Sequence, residues 1–293
     1  MCHTASASDS DTKKYALLGH PVAHSLSPAI HNAAFQKLGI PAVYDLCDTG
    51  REGPEKALER LLSQGYQGFN VTMPDKRAAA GLCQDLSPAS LVSDSVNTIC
   101  LRKGRLFGTT TDGDGFLYAA ERLGLDLKEG NVTLLGGGGA ASSMLTGAAL
   151  AEAASVNVFV HRTSSRERMT AIAERLSAYS KTRINIFDIS DTELLEKSVR
   201  DSLLLANATN VGMSPDTERM PLPSTCLCAE TPVFDAIYEP RETFLLKCAK
   251  KTGCQTVNGL PMLVGQAAAS FRLWTGQDMP VDFILSSLFS SQA

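Results

Sequence analysis

The segment Val132-Thr133-Leu134-Leu135-Gly136-Gly137-Gly138-Gly139-Ala140-Ala141-Ser142 constrains the fold of this chain more than any other. An apolar run ends abruptly at four glycines, and small residues then open a stretch that reads as a helix from Ala140 to Ala153. The string has the pattern GxGxxA between a strand at Val132–Leu135 and that helix, with a second strand at Ser155–Val160. Such a turn needs small residues for physical reasons. Gly136 permits the tight bend, Gly138 lets backbone N–H groups approach a diphosphate, and Ala141 lets the helix pack close to the sheet. The unpaired N–H groups of the helix N-terminus favour the same anion. Gly136, Gly137, Gly138, Gly139 and Ala140 are therefore expected to line a dinucleotide. Residues 131–151 are also uncharged, but they are too rich in glycine, serine and threonine for a membrane span.

The end of the second strand discriminates between dinucleotides. An Asp or Glu there accepts from the ribose 2′-hydroxyl of NAD. This chain instead reads Val160-His161-Arg162-Thr163-Ser164-Ser165-Arg166. A guanidinium matches a phosphate with two parallel hydrogen bonds, so His161, Arg162, Thr163 and Arg166 point to the 2′-phosphate of NADP rather than to NAD.

The remaining pattern is that of an α/β protein in two domains, as 293 residues would suggest. Strands are expected at Tyr15–Gly19, Ala42–Leu46, Gly68–Thr72, Ser95–Leu101 and Arg105–Gly108, with helices at Pro28–Leu38 and Gly53–Gln64. These make a mostly parallel or mixed sheet in a substrate-binding and catalytic domain, residues 15–112, after a polar tail at 1–14. A Rossmann-type dinucleotide-binding domain follows at 113–255. Two C-terminal helices within 256–293 are expected to return to the first domain.

Composition excludes several partners. A net charge of −4 without any Lys/Arg block gives nucleic acid nothing to bind. The polar start has no apolar signal region, and no hydrophobic stretch suits a membrane. Eight cysteines show no zinc spacing and read as reduced core thiols, which fits a cytoplasmic monomer or homodimer without a metal.

Polar segments stand where strands of the first domain should end: His24-Ser25-Leu26-Ser27-Pro28, Asn70-Val71-Thr72-Met73-Pro74-Asp75-Lys76, Ser95-Val96-Asn97-Thr98 and Thr109-Thr110-Thr111-Asp112-Gly113. Ligands of open α/β sheets bind outside the carboxyl ends of strands. Ser25, Ser27, Thr72, Lys76, Asn97 and Asp112 are thus expected to converge on a small hydroxyl-rich molecule. Singly, each has a plainer role: Ser27 an N-cap, Asn97 a turn residue, Lys76 a solvated helix start. His20, His24 and His31 have no paired nucleophile and read as structural.

Together these segments resemble the shikimate dehydrogenase family from about Tyr15 to the C-terminus. Its SxSP, NVTxPxK, VNT, TDG and glycine-loop motifs appear in order. Asn207-Ala208-Thr209-Asn210-Val211-Gly212-Met213 and Asn258-Gly259-Leu260-Pro261-Met262-Leu263-Val264-Gly265-Gln266 complete the set. The resemblance implies reversible reduction of 3-dehydroshikimate to shikimate with NADPH. It implies that Ser25, Ser27 and Tyr238 hold the carboxylate, and that Thr72, Asn97 and Gln266 bind ring hydroxyls beside an acid–base pair of Lys76 and Asp112. Thr209, Ile237 and Gly259 would approach the nicotinamide. The chain departs from the family at Thr110 and His161, both usually Asn, and at Gly137, commonly Ala. Two other readings compete: a quinate or quinate/shikimate dehydrogenase using NAD, and a non-catalytic nucleotide- or ligand-sensing module. The retained serines and the missing acid speak against the first, and the intact Lys76 and Asp112 against the second.

Overall fold

Apolar strands alternate with helices along residues 12–289, the part of the chain described by the computed structural model. Two compact units result, one formed by the chain up to Thr111 together with the chain from Ala267 onward, the other by Asp112–Gln266. Residues 1–11 of the polar tail lie outside the described residues. Lys13 and Lys14, read from sequence as the end of that tail, instead open the first strand, and the Lys13 N–H bonds the Pro41 carbonyl at 2.9 Å.

The first unit runs β1 (Lys13–Gly19), α1 (Ser27–Leu38), β2 (Ala42–Asp48), α2 (Gly53–Ser63), β3 (Tyr66–Val71), α3 (Lys76–Leu82), β4 (Asp85–Leu86), α4 (Pro88–Ser93), β5 (Thr98–Arg102) and β6 (Arg105–Thr109). Its six-stranded sheet has the order β2-β1-β3-β5-β6-β4. β1 pairs in parallel with β2 and β3, whereas β5 is antiparallel to both β3 and β6. The sheet is therefore mixed. β1 is a continuous apolar run because it lies between two neighbours with both faces covered. Ala16 and Leu18 pack with Ala57, Leu58 and Leu61 of α2. Tyr15, one residue out of phase, stacks between Phe35 and Trp274, with centroids at 5.5 and 4.9 Å. The indole of Trp274 donates to the Ile99 carbonyl at 3.1 Å. It lies where a Cβ on Gly68 would come within 2.5 Å of its nitrogen, so only glycine lets it rest on the sheet.

The second unit contains α5 (Asp112–Glu121), β7 (Asn131–Leu135), α6 (Gly139–Leu150), β8 (Ser155–Val160), α7 (Thr163–Leu176), β9 (Arg183–Asp188), α8 (Thr192–Arg200), β10 (Leu204–Asn207), β11 (Val233–Asp235), α9 (Phe244–Thr252) and β12 (Thr256–Val257). α10 (Leu260–Thr275) and α11 (Val281–Phe289) close the chain. The sheet order β12-β11-β10-β7-β8-β9 is parallel throughout. This is the doubly wound Rossmann arrangement, whose strand order reverses between β7 and β10, immediately beside the glycine turn.

α5 and α6 touch through glycines. A Cβ on Gly147 would fall 2.8 Å from the Gly113 Cα and 3.0 Å from its carbonyl oxygen. Both are backbone atoms that cannot turn aside. Gly147→Ala is expected to destabilise the protein by about 1–3 kcal/mol despite the better helix propensity of alanine. Urea unfolding measures it, and an unchanged midpoint would contradict the close contact.

Candidate active site

The strand registers of the first unit bring its polar segments to one sheet edge. Leu18 at the end of β1 pairs with Val71 at the end of β3. Asn70 pairs with Thr98 at the start of the antiparallel β5, and Thr98 with Thr109 at the end of β6. The residues leaving these termini are cross-linked by backbone bonds: Thr72 N–H to the Leu18 carbonyl at 2.8 Å, Val71 N–H to the Asn97 carbonyl at 2.8 Å, and Val96 N–H to the Lys76 carbonyl at 2.9 Å. Thr72, Lys76, Asn97 and the Thr109–Thr111 segment are thereby gathered.

The serine pair opens α1. Ser25 Oγ donates to Ser27 Oγ at 3.2 Å, and the Ser27 N–H donates back to Ser25 Oγ at 3.2 Å. Leu26, not Ser27, is the N-cap, and no side chain caps that helix end, so the Ser27 hydroxyl is left for other partners. It lies beside Tyr44, whose own hydroxyl donates to Asn70 Oδ1 at 2.7 Å. The Asn70 amide in turn donates to the Asn97 carbonyl, Thr98 Oγ1 and Ser270 Oγ at 3.0–3.1 Å. Asn97 is buried, and its Oδ1 accepts from the Thr111 N–H and the Thr98 hydroxyl, both at 2.9 Å. It is a clamp between segments rather than a surface turn residue. Tyr44, Asn70 and Ser270 were not singled out from sequence, because only strand pairing brings Tyr44 and Asn70 together and only the packing of α10 adds Ser270. Asp75 was also missed: it is buried and accepts from Thr49 Oγ1 at 2.6 Å, fixing the turn that carries Lys76.

Thr110 is buried, and its hydroxyl has no hydrogen-bond partner among the described residues, whereas its neighbour Thr111 is bonded through both N–H and Oγ1. The departure from Asn at position 110 thus leaves the anchoring of this segment to Thr111 and Asn97.

In the second unit Gly136 adopts φ +116° and donates its N–H to the Phe159 carbonyl at 2.9 Å, and a Cβ there would stand 3.0 Å from the Ala208 oxygen. Gly138 and Gly139 have open space where a Cβ would be, and with Ala140 they are exposed at the start of α6. Ala141 is fully buried against the sheet. A diphosphate fits this arrangement, since backbone N–H groups stand uncovered at a helix N-terminus. Gly137 has a separate explanation. A Cβ on it would lie 2.6 Å from the Ser165 Cβ, so Ser165 in this chain fills the room that alanine would need.

His161, Arg162 and Thr163 are exposed beyond β8, and Arg162 is the N-cap of α7. Arg166 is engaged elsewhere: its guanidinium donates to the Ile186 carbonyl at 3.0 Å and lies 3.8 Å from the Asp188 carboxylate. Two hydrogen bonds from Ser190, then the nearby Arg166 and His161, hold Asp188 below the usual carboxylate range. Thr209 follows β10, Ile237 follows β11, and the Gly259 N–H bonds the Ile237 carbonyl at 3.1 Å, which joins the last two. Tyr238, next to Ile237, is 39% exposed. Gln266 donates to the Leu263 carbonyl at 3.0 Å, and Asp112 is the first residue of α5. Burial and the Asp112 charge raise the carboxyl of Asp114 above its ordinary value. Among the described residues no three His, Cys, Asp or Glu side chains gather to hold a metal, and no helix is long and apolar enough to cross a membrane.

A parallel sheet wound out from a glycine turn, in a chain whose other unit gathers hydroxyl, amide and amine groups at one sheet edge, defines a two-unit α/β protein of the Rossmann type. The substrate-binding-domain model of shikimate dehydrogenase matches residues 17–99, and the shikimate 5′-dehydrogenase C-terminal-domain model matches residues 259–289. A shikimate dehydrogenase (NADP(+)) of Listeria monocytogenes is 36% identical over 95% of this chain and 96% of its own length. The crystal structure of a Listeria monocytogenes shikimate 5-dehydrogenase in complex with shikimate and NAD superposes with TM-score 0.90 at 35% identity, covering 95% of this chain and 96% of that one. A quinate dehydrogenase of Corynebacterium glutamicum in complex with NAD is more distant in sequence, at 26% identity with TM-score 0.86, covering 96% and 99% of the two chains. The chain belongs to the shikimate dehydrogenase family.

His31 illustrates what burial does to a titratable group here. Its ring stacks on Tyr44 at 4.4 Å and packs beside Phe35, Phe271 and Trp274. Burial holds it down to about 3, with a polar contact from Asn70 opposing the shift. A neutral structural imidazole results. The unfolded chain takes up this proton near the ordinary value of 6.5, so unfolding binds a proton between about 3 and 6.5. The stabilising effect of the neutral ring is intact above that window and is lost as pH falls through it, at up to about 1.4 kcal/mol per pH unit. Between pH 6.5 and pH 5, the wild type is expected to lose about 1.6 kcal/mol more than His31→Leu in urea unfolding. Equal losses would mean that His31 does not carry this dependence.

Proposed function

We propose that this chain catalyses the reversible NADPH-dependent reduction of 3-dehydroshikimate to shikimate. The observation that supports this most is the gathering of the segments carrying Thr72, Lys76 and Asn97 at one sheet edge, braced by the hydrogen-bonded chain from Tyr44 through Asn70 to Asn97. Ser25, Ser27 and Tyr238 bind the carboxylate as hydrogen-bond donors, while Thr72, Asn97 and Gln266 recognise ring hydroxyls. Residues 136–140, His161, Arg162, Thr163, Thr209, Ile237 and Gly259 would hold the nicotinamide dinucleotide, which would supply the hydride in one direction and accept it in the other, while Arg166, bonded to Ile186 and beside Asp188, braces the loop. Reduction of a carbonyl carbon leaves negative charge on its oxygen. The Lys76 ammonium hands a proton to that oxygen and recovers it in the reverse reaction, and the Asp112 carboxylate keeps the ammonium oriented. The same reading makes the working form a cytoplasmic monomer or homodimer.

Purified protein assayed with shikimate and quinate, each with NAD and NADP, tests the assignment. The highest kcat/KM is expected for shikimate with NADP, and a higher value for quinate with NAD would overturn it. Lys76→Ala is expected to lower kcat about 10²–10⁴-fold with NADP affinity nearly unchanged; wild-type turnover would remove Lys76 from the mechanism. Because a guanidinium suits the 2′-phosphate, Arg162→Ala should raise KM for NADP by roughly ten-fold or more and leave KM for NAD within about two-fold. Equal effects on the two cofactors would count against the assigned role of Arg162.

A further inference from the structure

One buried carboxylate in the second unit has no part in the mechanism above, yet it holds the segments that carry three of its residues. Asp235 ends β11 and is fully buried. Its Oδ1 accepts from Asn207 Nδ2 at 3.0 Å and from the Ile237 N–H at 3.1 Å, while its Oδ2 accepts from Thr243 Oγ1 at 2.6 Å. Because the Asn207 amide is turned toward Asp235, its Oδ1 faces the other way and accepts from the Thr209 N–H at 3.0 Å and the Thr209 hydroxyl at 2.8 Å. The Ile237 carbonyl then receives the Gly259 N–H at 3.1 Å, and a Cβ on Gly259 would collide with the Ala236 carbonyl oxygen. Thr209, Ile237 and Gly259 are therefore tied to a single anchor at the ends of two adjacent strands.

We propose that Asp235 is a positioning residue for hydride transfer: it sets Thr209 through Asn207, Ile237 directly and Gly259 through Ile237, so that the nicotinamide side of the dinucleotide is held in reacting geometry. Asp235 touches neither substrate nor cofactor in this account. A buried acceptor with three donors keeps its orientation because releasing any donor leaves an unpaired group in the interior. Burial pushes the carboxyl above its ordinary range, and the Thr243, Ile237 and Asn207 donors oppose that shift. The inference rests on the dehydrogenase reading above, since it assigns those three residues to the nicotinamide.

The test uses the full chain with shikimate and NADP. Asp235→Ala is expected to lower kcat by about 10²-fold, as a misplacement of about 1 Å does. The dissociation constant of NADP should stay within about three-fold, because the diphosphate and 2′-phosphate contacts lie elsewhere. The kinetic isotope effect with NADPH deuterated at the transferred position should rise as the chemical step becomes limiting. Asp235→Asn keeps an acceptor for Asn207 and Ile237, and the Thr243 hydroxyl can reverse to accept, so this variant is expected to recover most of the lost kcat. Should Asp235→Ala not fold, Asn207→Ser replaces it; this variant removes the Asn207 side-chain bonds to Asp235 and Thr209 but leaves Ile237 and Thr243 on the carboxylate, and the same split is expected at smaller size. Unchanged kcat, a parallel loss of NADP affinity, or Asp235→Asn as impaired as Asp235→Ala would each overturn the proposal. A wild-type protein that does not oxidise shikimate with NADP would instead refute the dehydrogenase reading, and the inference would fall with it.

Discussion

Everything at the polar edge of the first unit depends on the hydrogen-bonded register of β1, β3 and β5. Parallel pairing of β1 with β3 puts their carboxyl ends side by side, and antiparallel pairing of β3 with β5 brings the start of β5 to the same edge. A one-residue slip of β3 would send Asn70 to the opposite face and break its contacts with Tyr44, Thr98 and Ser270. The buried polar chain from Tyr44 to Asn97 is thus a consequence of register, and it also enforces register. Each buried donor left unpaired would cost about 1–3 kcal/mol.

The second unit solves a related problem by different means. Its central parallel strands bury both faces, so the polar groups that serve a ligand stand where those strands end. The glycine turn uncovers backbone N–H groups at the end of β7, and the Asn207–Asp235 pair organises the ends of β10 and β11. One site needs the absence of side chains, and the other needs a carboxylate that points inward.

Much of this was legible in advance. The glycine turn, the strand–helix alternation and the order of the polar motifs are local patterns, and all were recovered with small shifts at element ends. The expected strand at Ser95–Leu101 begins only at Thr98, because Asn97 is drawn into side-chain bonding with Thr98 and Thr111. α3, α4, α8 and α9 went unnoticed, being six to nine residues long with too few turns for a clear period. Arg166 looked equivalent to Arg162 in sequence; the structure turns it to Ile186 and Asp188 on the neighbouring strand.

The sequence by itself determined the class of fold, the position of the dinucleotide turn and the identity of the family motifs, because spacing along the chain encodes local geometry and residue type encodes chemistry. Only the tertiary structure decided which polar residues lie beneath those motifs. Tyr44, Asn70 and Ser270 acquire their roles from contacts 26 to 200 residues apart in the chain, and Asp235 reaches Asn207 across 28. The physical reason is that burial makes their hydrogen bonds obligatory, and burial is a property of the packed molecule that no short stretch of sequence contains.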